Sequence, residues 1–219
     1  MKKTVAVLAV ILAVFAVFAA KADMKVGAQV GYGAEREFAS DEGKYASLDY
    51  SGFRISGTFE YGFADSLYAK ASVGIATLGQ GRYVFNPGAA PFSANTPTDA
   101  PVNFGVYLGA EYSYDIGESF RVSGGLGFDA LLGKMWTLGS IEYGETSDAV
   151  FNARMGIAGE VTGSYRIDKD LAVNLGGRFA WHFYDSDKYN TQFKKEAGEY
   201  GWSWIAFSYD FFAGVTYSL

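Results

Sequence analysis

A seven-residue turn motif comes round three times in this chain and begins a fourth. Tyr61-Gly62-Phe63-Ala64-Asp65-Ser66-Leu67 aligns with Tyr114-Asp115-Ile116-Gly117-Glu118-Ser119-Phe120 and with Tyr165-Arg166-Ile167-Asp168-Lys169-Asp170-Leu171, while Tyr217-Ser218-Leu219 repeats the start. The period is about 52 residues, enough for a pair of strands with its connections. On either flank of each copy, apolar and polar residues alternate with a period of two, which is the signature of strands with two unlike faces. The spacing predicts four antiparallel hairpins. Eight strands joined in this way close into an up-and-down barrel, an all-β fold that leaves no edge unpaired.

Alternation places the strands. The first runs from Lys25 to Gly33 with Val26, Ala28, Val30 and Tyr32 on one face. The second covers Phe53 to Tyr61 and extends upward through Leu48 to Tyr50, with Gly52 expected as a bulge that shifts the phase. The third is Leu67 to Leu78 and the fourth Phe104 to Tyr114. The fifth shows Phe120, Val122, Leu126, Phe128 and Ala130; the sixth shows Met155, Ile157, Val161 and Tyr165. The seventh runs from Leu171 to Phe183 and the eighth from Trp204 to Leu219. Connections at the repeated motif are tight. The others are long, spanning Ala34 to Ala46, Gly79 to Val102, Gly133 to Ala149 and Asp185 to Ser203. All four prolines (Pro87, Pro91, Pro97, Pro101) fall in the second long loop, where no sheet needs the missing N–H.

The polarity of the two faces separates two kinds of barrel. A soluble barrel of lipocalin type buries apolar side chains inside and shows polar ones outside. Here the continuous apolar face alternates with one rich in Gly, Ser, Thr and charge, and each strand meets the ~9 to 11 residues needed to cross a bilayer at a tilt. Aromatics cluster at both ends of the strands, Tyr61, Phe63, Tyr112, Tyr114, Phe120, Tyr165 and Tyr217 at one and Trp136, Phe151, Trp181, Phe183 and Trp204 at the other. In a membrane barrel short turns face the periplasm and long loops face outward. The last strand alternates to the final residue, with Phe211, Ala213, Val215, Tyr217 and Leu219 on one face. It resembles the C-terminal assembly signal of bacterial outer-membrane barrels, which usually ends in Phe or Trp rather than Leu.

The N-terminus gives a destination. Lys2 and Lys3 precede an apolar run from Val5 to Ala20, and Ala20-Lys21-Ala22 forms an A-x-A cleavage site. We expect residues 1–22 to be a signal peptide and residues 23–219 to be one barrel domain; a spanning helix is the competing reading, but the run is short of the ~20 residues required. The chain holds no cysteine, which excludes both disulfides and a lipid-modified leader. With 18 basic against 24 acidic residues it is unsuited to nucleic acid. A single histidine offers no zinc site, and neither metal nor cofactor is expected.

The polar face carries the candidate site. Arg54, Glu60, Lys70, Glu111, Arg121, Asp129, Arg154, Glu160, Arg178 and Asp210 would point into the lumen, five cations with five carboxylates. Charges in so narrow an interior must be paired or hydrated. Tight turns would bring Glu60 diagonally across from Lys70, Glu111 from Arg121 and Glu160 from Arg178. Such pairs either stiffen a closed lumen or form an ion-selective gate. End-to-end pairing of the last two strands would set Ser208 opposite His182 with Asp210 close by, the parts of a hydrolase site. No motif surrounds them, and a hydrated rim histidine is the plainer reading. Glu35, Glu37, Asp41 and Glu42 in the first long loop, with Glu142, Glu145 and Asp148 in the third, could take a divalent cation or a basic partner, or simply keep the loops solvated. Tyr45, Tyr83, Phe85, Tyr143, Tyr189 and Trp202 are candidate aromatic anchors for a partner.

Leader, turn motif and last strand together resemble the small eight-stranded outer-membrane barrels of the OmpA/OmpX type, with OmpW-like barrels as cousins. The likeness covers the whole chain. It departs from larger OmpA-type proteins in having nothing after Leu219 to bind peptidoglycan, and from OmpW-like proteins in its charged lumen, which is at odds with transport of hydrophobic molecules. The resemblance implies an integral protein of a Gram-negative-type (diderm) outer membrane with extracellular loops. Its partners would be outer-membrane lipid, the barrel-assembly machinery and an extracellular ligand or host surface. The expected protein is monomeric and non-enzymatic, with a structural or adhesive role; a narrow porin-like channel and a lipid-directed hydrolase are the alternatives.

Overall fold

The computed structural model describes residues 23–41, 44–86, 92–95, 102–135, 141–142, 145–146, 150–186 and 203–219. Among these, eight long strands form the barrel: β1 (Met24–Asp41), β2 (Lys44–Ala64), β3 (Leu67–Asn86), β4 (Val102–Ile116), β5 (Phe120–Met135), β6 (Val150–Arg166), β7 (Leu171–Asp185) and β8 (Ser203–Ser218). Each pairs antiparallel with its sequence neighbour, and β1 pairs with β8 to close the ring. Closure runs through Val26 opposite Tyr217 and Ala28 opposite Val215, and beyond the strand Leu219 N–H donates to the Met24 carbonyl at 2.8 Å. The predicted leader and the candidate anchors Tyr143, Tyr189 and Trp202 lie outside the described residues, as do Glu42 and Asp148.

The outward face is apolar along every strand. Val30, Ile55, Val73, Leu108, Leu126, Val161, Leu175 and Phe211 are all exposed there, an arrangement that water would not tolerate and hydrocarbon requires. Aromatic pairs brace the end away from the tight turns, with Tyr32 edge-on to Phe53 at 5.2 Å and Phe179 against Phe207 at 5.9 Å. The tight turns use the left-handed conformation once each in the first two copies of the motif, at Ser66 (φ 64°) and Gly117 (φ 68°).

Three expectations are corrected. The first long loop is largely strand: β1 and β2 stay paired from Gly33 opposite Gly52 up to Asp41 opposite Lys44. The second strand keeps one phase through Gly52, so Leu48 and Tyr50 point inward and are buried. A register shift does occur at that level, but the extra residue belongs to β3, where Gly79 and Gln80 together oppose Ser51. The third strand accordingly reaches Asn86 and adds a short partner, Phe92–Asn95. β1, β2 and β3, at 18, 21 and 20 residues, are therefore the longest described strands and form a tall sheet that stays paired beyond Gly33, Gly52 and Leu78.

Packing inside is close. Tyr107 lies along the lumen wall, and a Cβ on Gly109 would meet its Oη at 2.4 Å; likewise one on Gly176 would meet Phe212 Cζ at 2.6 Å. Glycine on the inner face is what lets these rings fold flat against the wall.

Candidate functional site in the barrel lumen

All ten charged residues expected in the lumen lie on the inward face, and the structure gathers them at separate levels. The first cluster is in the half nearer the tight turns. Lys70 Nζ lies 2.6 Å from Glu160 Oε1, 3.2 Å from Glu111 Oε2 and 3.5 Å from Glu60 Oε1, with only 2% of its side chain exposed. The Glu111 contact has ion-pair distance without hydrogen-bond alignment. Glu160 Oε2 accepts from Arg178 Nε at 2.8 Å and Nη2 at 2.6 Å, and the Arg178 guanidinium lies 4.2 Å above the Tyr107 ring. Glu60 faces Lys70, and Glu160 faces Arg178, as direct cross-strand neighbours rather than diagonal ones. Glu111 does not reach Arg121. It lies opposite Gly125, while Arg121 pairs with Asp115 at 2.7 Å near the tight-turn mouth.

The second cluster is nearer the long loops and was not foreseen. Arg154, 1% exposed, donates from Nε to Asp185 at 2.6 Å, from Nη2 to Glu37 at 2.9 Å, and from Nη1 to Tyr50 Oη at 2.6 Å and Glu35 at 3.2 Å. Glu35 and Glu37, expected in a solvated loop, are inward residues of β1. Asp185 reaches the lumen because β7 gains one residue, Phe183, between His182 opposite Gly156 and Tyr184 opposite Met155. The equal count of charges is corrected accordingly: Glu35, Glu37 and Asp185 add three carboxylates, and Lys25, 3.8 Å from Glu60, adds one cation. Of the remaining loop acids, Asp41 lies in β1 and Glu142 and Glu145 in short strands; Tyr45, Tyr83 and Phe85 lie in β2 and β3.

Between the clusters Arg54 pairs with Asp210. His182 Nε2 is 3.3 Å from Asp129 Oδ2, and both are buried. The hydrolase arrangement is not assembled. Strands β7 and β8 pair two residues away from the end-to-end register, so Ala206 stands opposite His182 and Ser208 opposite Ala180, while Asp210 faces Arg178. No candidate metal site of three or more His, Asp or Glu occurs among the described residues. At the tight-turn end the lumen opens into a polar cavity of about 270 Å³ bounded by Lys25, Glu60, Glu111, Arg121, Asn174 and Thr216.

A closed ring of eight antiparallel strands with an apolar outside and a charged inside matches solved proteins. This fold is that of the small outer-membrane β-barrels. The chain is similar to Neisserial surface protein A (NspA) from Neisseria, with a TM-score of 0.54, 13% identity and coverage of 91% of this chain and 99% of that one. It is also similar to the outer membrane protein OprG from Pseudomonas aeruginosa, at a TM-score of 0.52 and 13% identity, covering 90% and 96%. No protein-family model and no curated protein matches the sequence. For an outer-membrane barrel the arrangement has a plain chemical meaning. Opposite charges buried in a narrow lumen hold the walls together, and ion pairs of Lys70 and Arg154 cross it at two levels.

Proposed function

We propose that the protein is a non-enzymatic, monomeric component of the outer membrane whose specific role is carried at the cell surface by the tall sheet of β1, β2 and β3. In this reading residues 1–22 are a cleaved leader, the barrel-assembly machinery inserts the body, the tight turns face the periplasm, and the partner is an extracellular ligand or host surface. The supporting observation is the pair of buried charge clusters. A lumen crossed by Lys70 with three carboxylates and again by Arg154 with three more supports a closed interior over a conducting one, whereas scaffold-borne recognition commonly sits on surface extensions.

Reconstitution in planar bilayers tests this. The closed barrel gives no steps above background, and sustained single-channel conductance would overturn it. A narrow gated channel is the second reading, favoured by the polar cavity at the tight-turn mouth, which leads up to ion pairs that could exchange partners.

A further inference from the structure

The row of side chains at the lower end of the closing seam carries hydrogen-bonding capacity that the chain does not use. Ser218 on β8 stands opposite Lys25 on β1, and Lys25 stands opposite Glu60 on β2. Hydroxyl, ammonium and carboxylate thus follow one another across three strands spaced about 4.8 Å apart. All three border the polar cavity at the tight-turn mouth. Lys25 Nζ lies 3.6 Å from Asp23 and 3.8 Å from Glu60, while Glu60 lies 3.5 Å from Lys70, whose short contact goes to Glu160 at 2.6 Å. These are ion-pair contacts; among the described residues none of the three side chains makes a hydrogen bond. Arg121, on the same cavity, differs, since it donates to both oxygens of Asp115 and to the Tyr68 hydroxyl.

We propose that this row binds one neutral, polyhydroxylated unit the size of a monosaccharide. Charge argues against an ionic ligand. Four cations and four carboxylates border the cavity, so it has no net sign to draw one in. An ammonium brought to Glu60 would come as close to Lys25 and Lys70, and a carboxylate brought to Lys25 would meet Asp23 and Glu60, so that attraction and repulsion cancel at like distances. A hydroxyl escapes this conflict because it donates to Glu60 and accepts from Lys25 at once. The wall formed by β6, β7 and β8 suits the same ligand, with Thr162, Ser164, Asn174 and Thr216 offering hydroxyls and an amide. At about 270 Å³ the cavity is just under the range that takes drug-sized molecules. Free sugars and the ends of glycan strands present the same hydroxyls. Binding at the mouth does not require the barrel to conduct, so it stands apart from either reading of the lumen given above.

The test uses the full barrel refolded in a detergent without a sugar headgroup, with amide NMR shifts followed as D-glucose, N-acetylglucosamine or chitotetraose is added. Saturable shifts confined to the mouth around Lys25, Glu60 and Ser218 are expected. Glycine, acetate and methylammonium at the same concentrations should give none. K25M and E60Q should each weaken sugar binding about tenfold, because each removes a hydrogen bond to a charged group. S218A, which leaves every charge in place, should weaken it less. D65N, in the nearby tight turn, should bind as the parent does, and heat-modifiable migration confirms that each variant is folded. Tighter binding of chitotetraose than of N-acetylglucosamine assigns the ligand as a glycan end; equal or weaker binding assigns a free sugar. The proposal is overturned if no sugar gives saturable shifts, if any of the charged solutes binds as well as the sugars, or if K25M, E60Q and S218A all bind as the parent does.

Discussion

Asp185 accepts from Arg154 Nε at 2.6 Å because a single added residue, Phe183, turns β7 half a step before it leaves the barrel. The contact joins β6 to β7 at the rim, and the other donors of the same guanidinium reach Glu35 and Glu37 on β1 and Tyr50 on β2. One side chain thus ties the tall sheet to the opposite wall.

Replacing Arg154 with Ala leaves three buried carboxylates facing one another. We expect a loss of roughly 3 to 5 kcal/mol, the usual cost of stranding buried charge, measured by urea unfolding in lipid vesicles. Adding Glu37→Gln and Asp185→Asn should restore part of it. Deleting Phe183 should resemble Asp185→Asn, since the phase change is what brings Asp185 inward.

Lys70→Met removes the cation shared by Glu60, Glu111 and Glu160. Destabilisation of roughly 3 to 5 kcal/mol is expected where the cluster is dry, and much less where water enters. A small loss accompanied by new conductance would identify the cluster as a gate and favour the channel reading.

Removing Tyr217 to Leu219 deletes the pairs with Val26 and Lys25 and the hydrogen bond to Met24. The closing seam then opens at its lower end, where lipid cannot satisfy the freed backbone groups. The truncated protein is expected to lose its heat-modifiable band on unboiled gels and to be degraded in cells.

Orientation is checked with a cysteine placed at Asp65, in the first tight turn. An impermeant thiol reagent added to intact cells should leave it unlabelled, while lysed cells should label fully.

The third tight turn has its own pH dependence. Asp168 accepts from the backbone N–H groups of Asp170 and Leu171, both at 2.8 Å, and these bonds hold its carboxyl below the usual range. A lowered folded value stabilises above the ordinary carboxyl range and loses that effect as the pH falls through the folded value. Wild type should therefore exceed Asp168→Ala slightly in stability at neutral pH, with the difference vanishing in acid.

What could be read in the sequence follows from how uniform the constraint is. Lipid imposes one rule on every outward position, so Val161, Leu175 and Phe211 declare themselves, and the inward phase of Arg54, Glu160 and Arg178 follows from theirs. Above the membrane that rule lapses. Glu35 and Glu37 then look like loop acids although Arg154 buries them, and Leu48 and Tyr50 look like an outward extension although they fill the lumen. Bulges are equally silent, because one added residue at Phe183 or Gly79 leaves no compositional trace. The register of β7 on β8 is silent too: Leu171 pairs with Tyr217 and not with the terminal Leu219, whose N–H goes to Met24 on β1.

The upper part of the β1–β2 hairpin is hydrogen-bonded along its whole described length. From Phe53 to Lys44, β2 runs roughly 30 Å at about 3.3 Å per residue, and each residue of that stretch has a partner on β1. A load applied to its upper end is therefore carried down a continuous ladder into the barrel wall, so a tug at the surface is felt by the body of the protein instead of being taken up as slack.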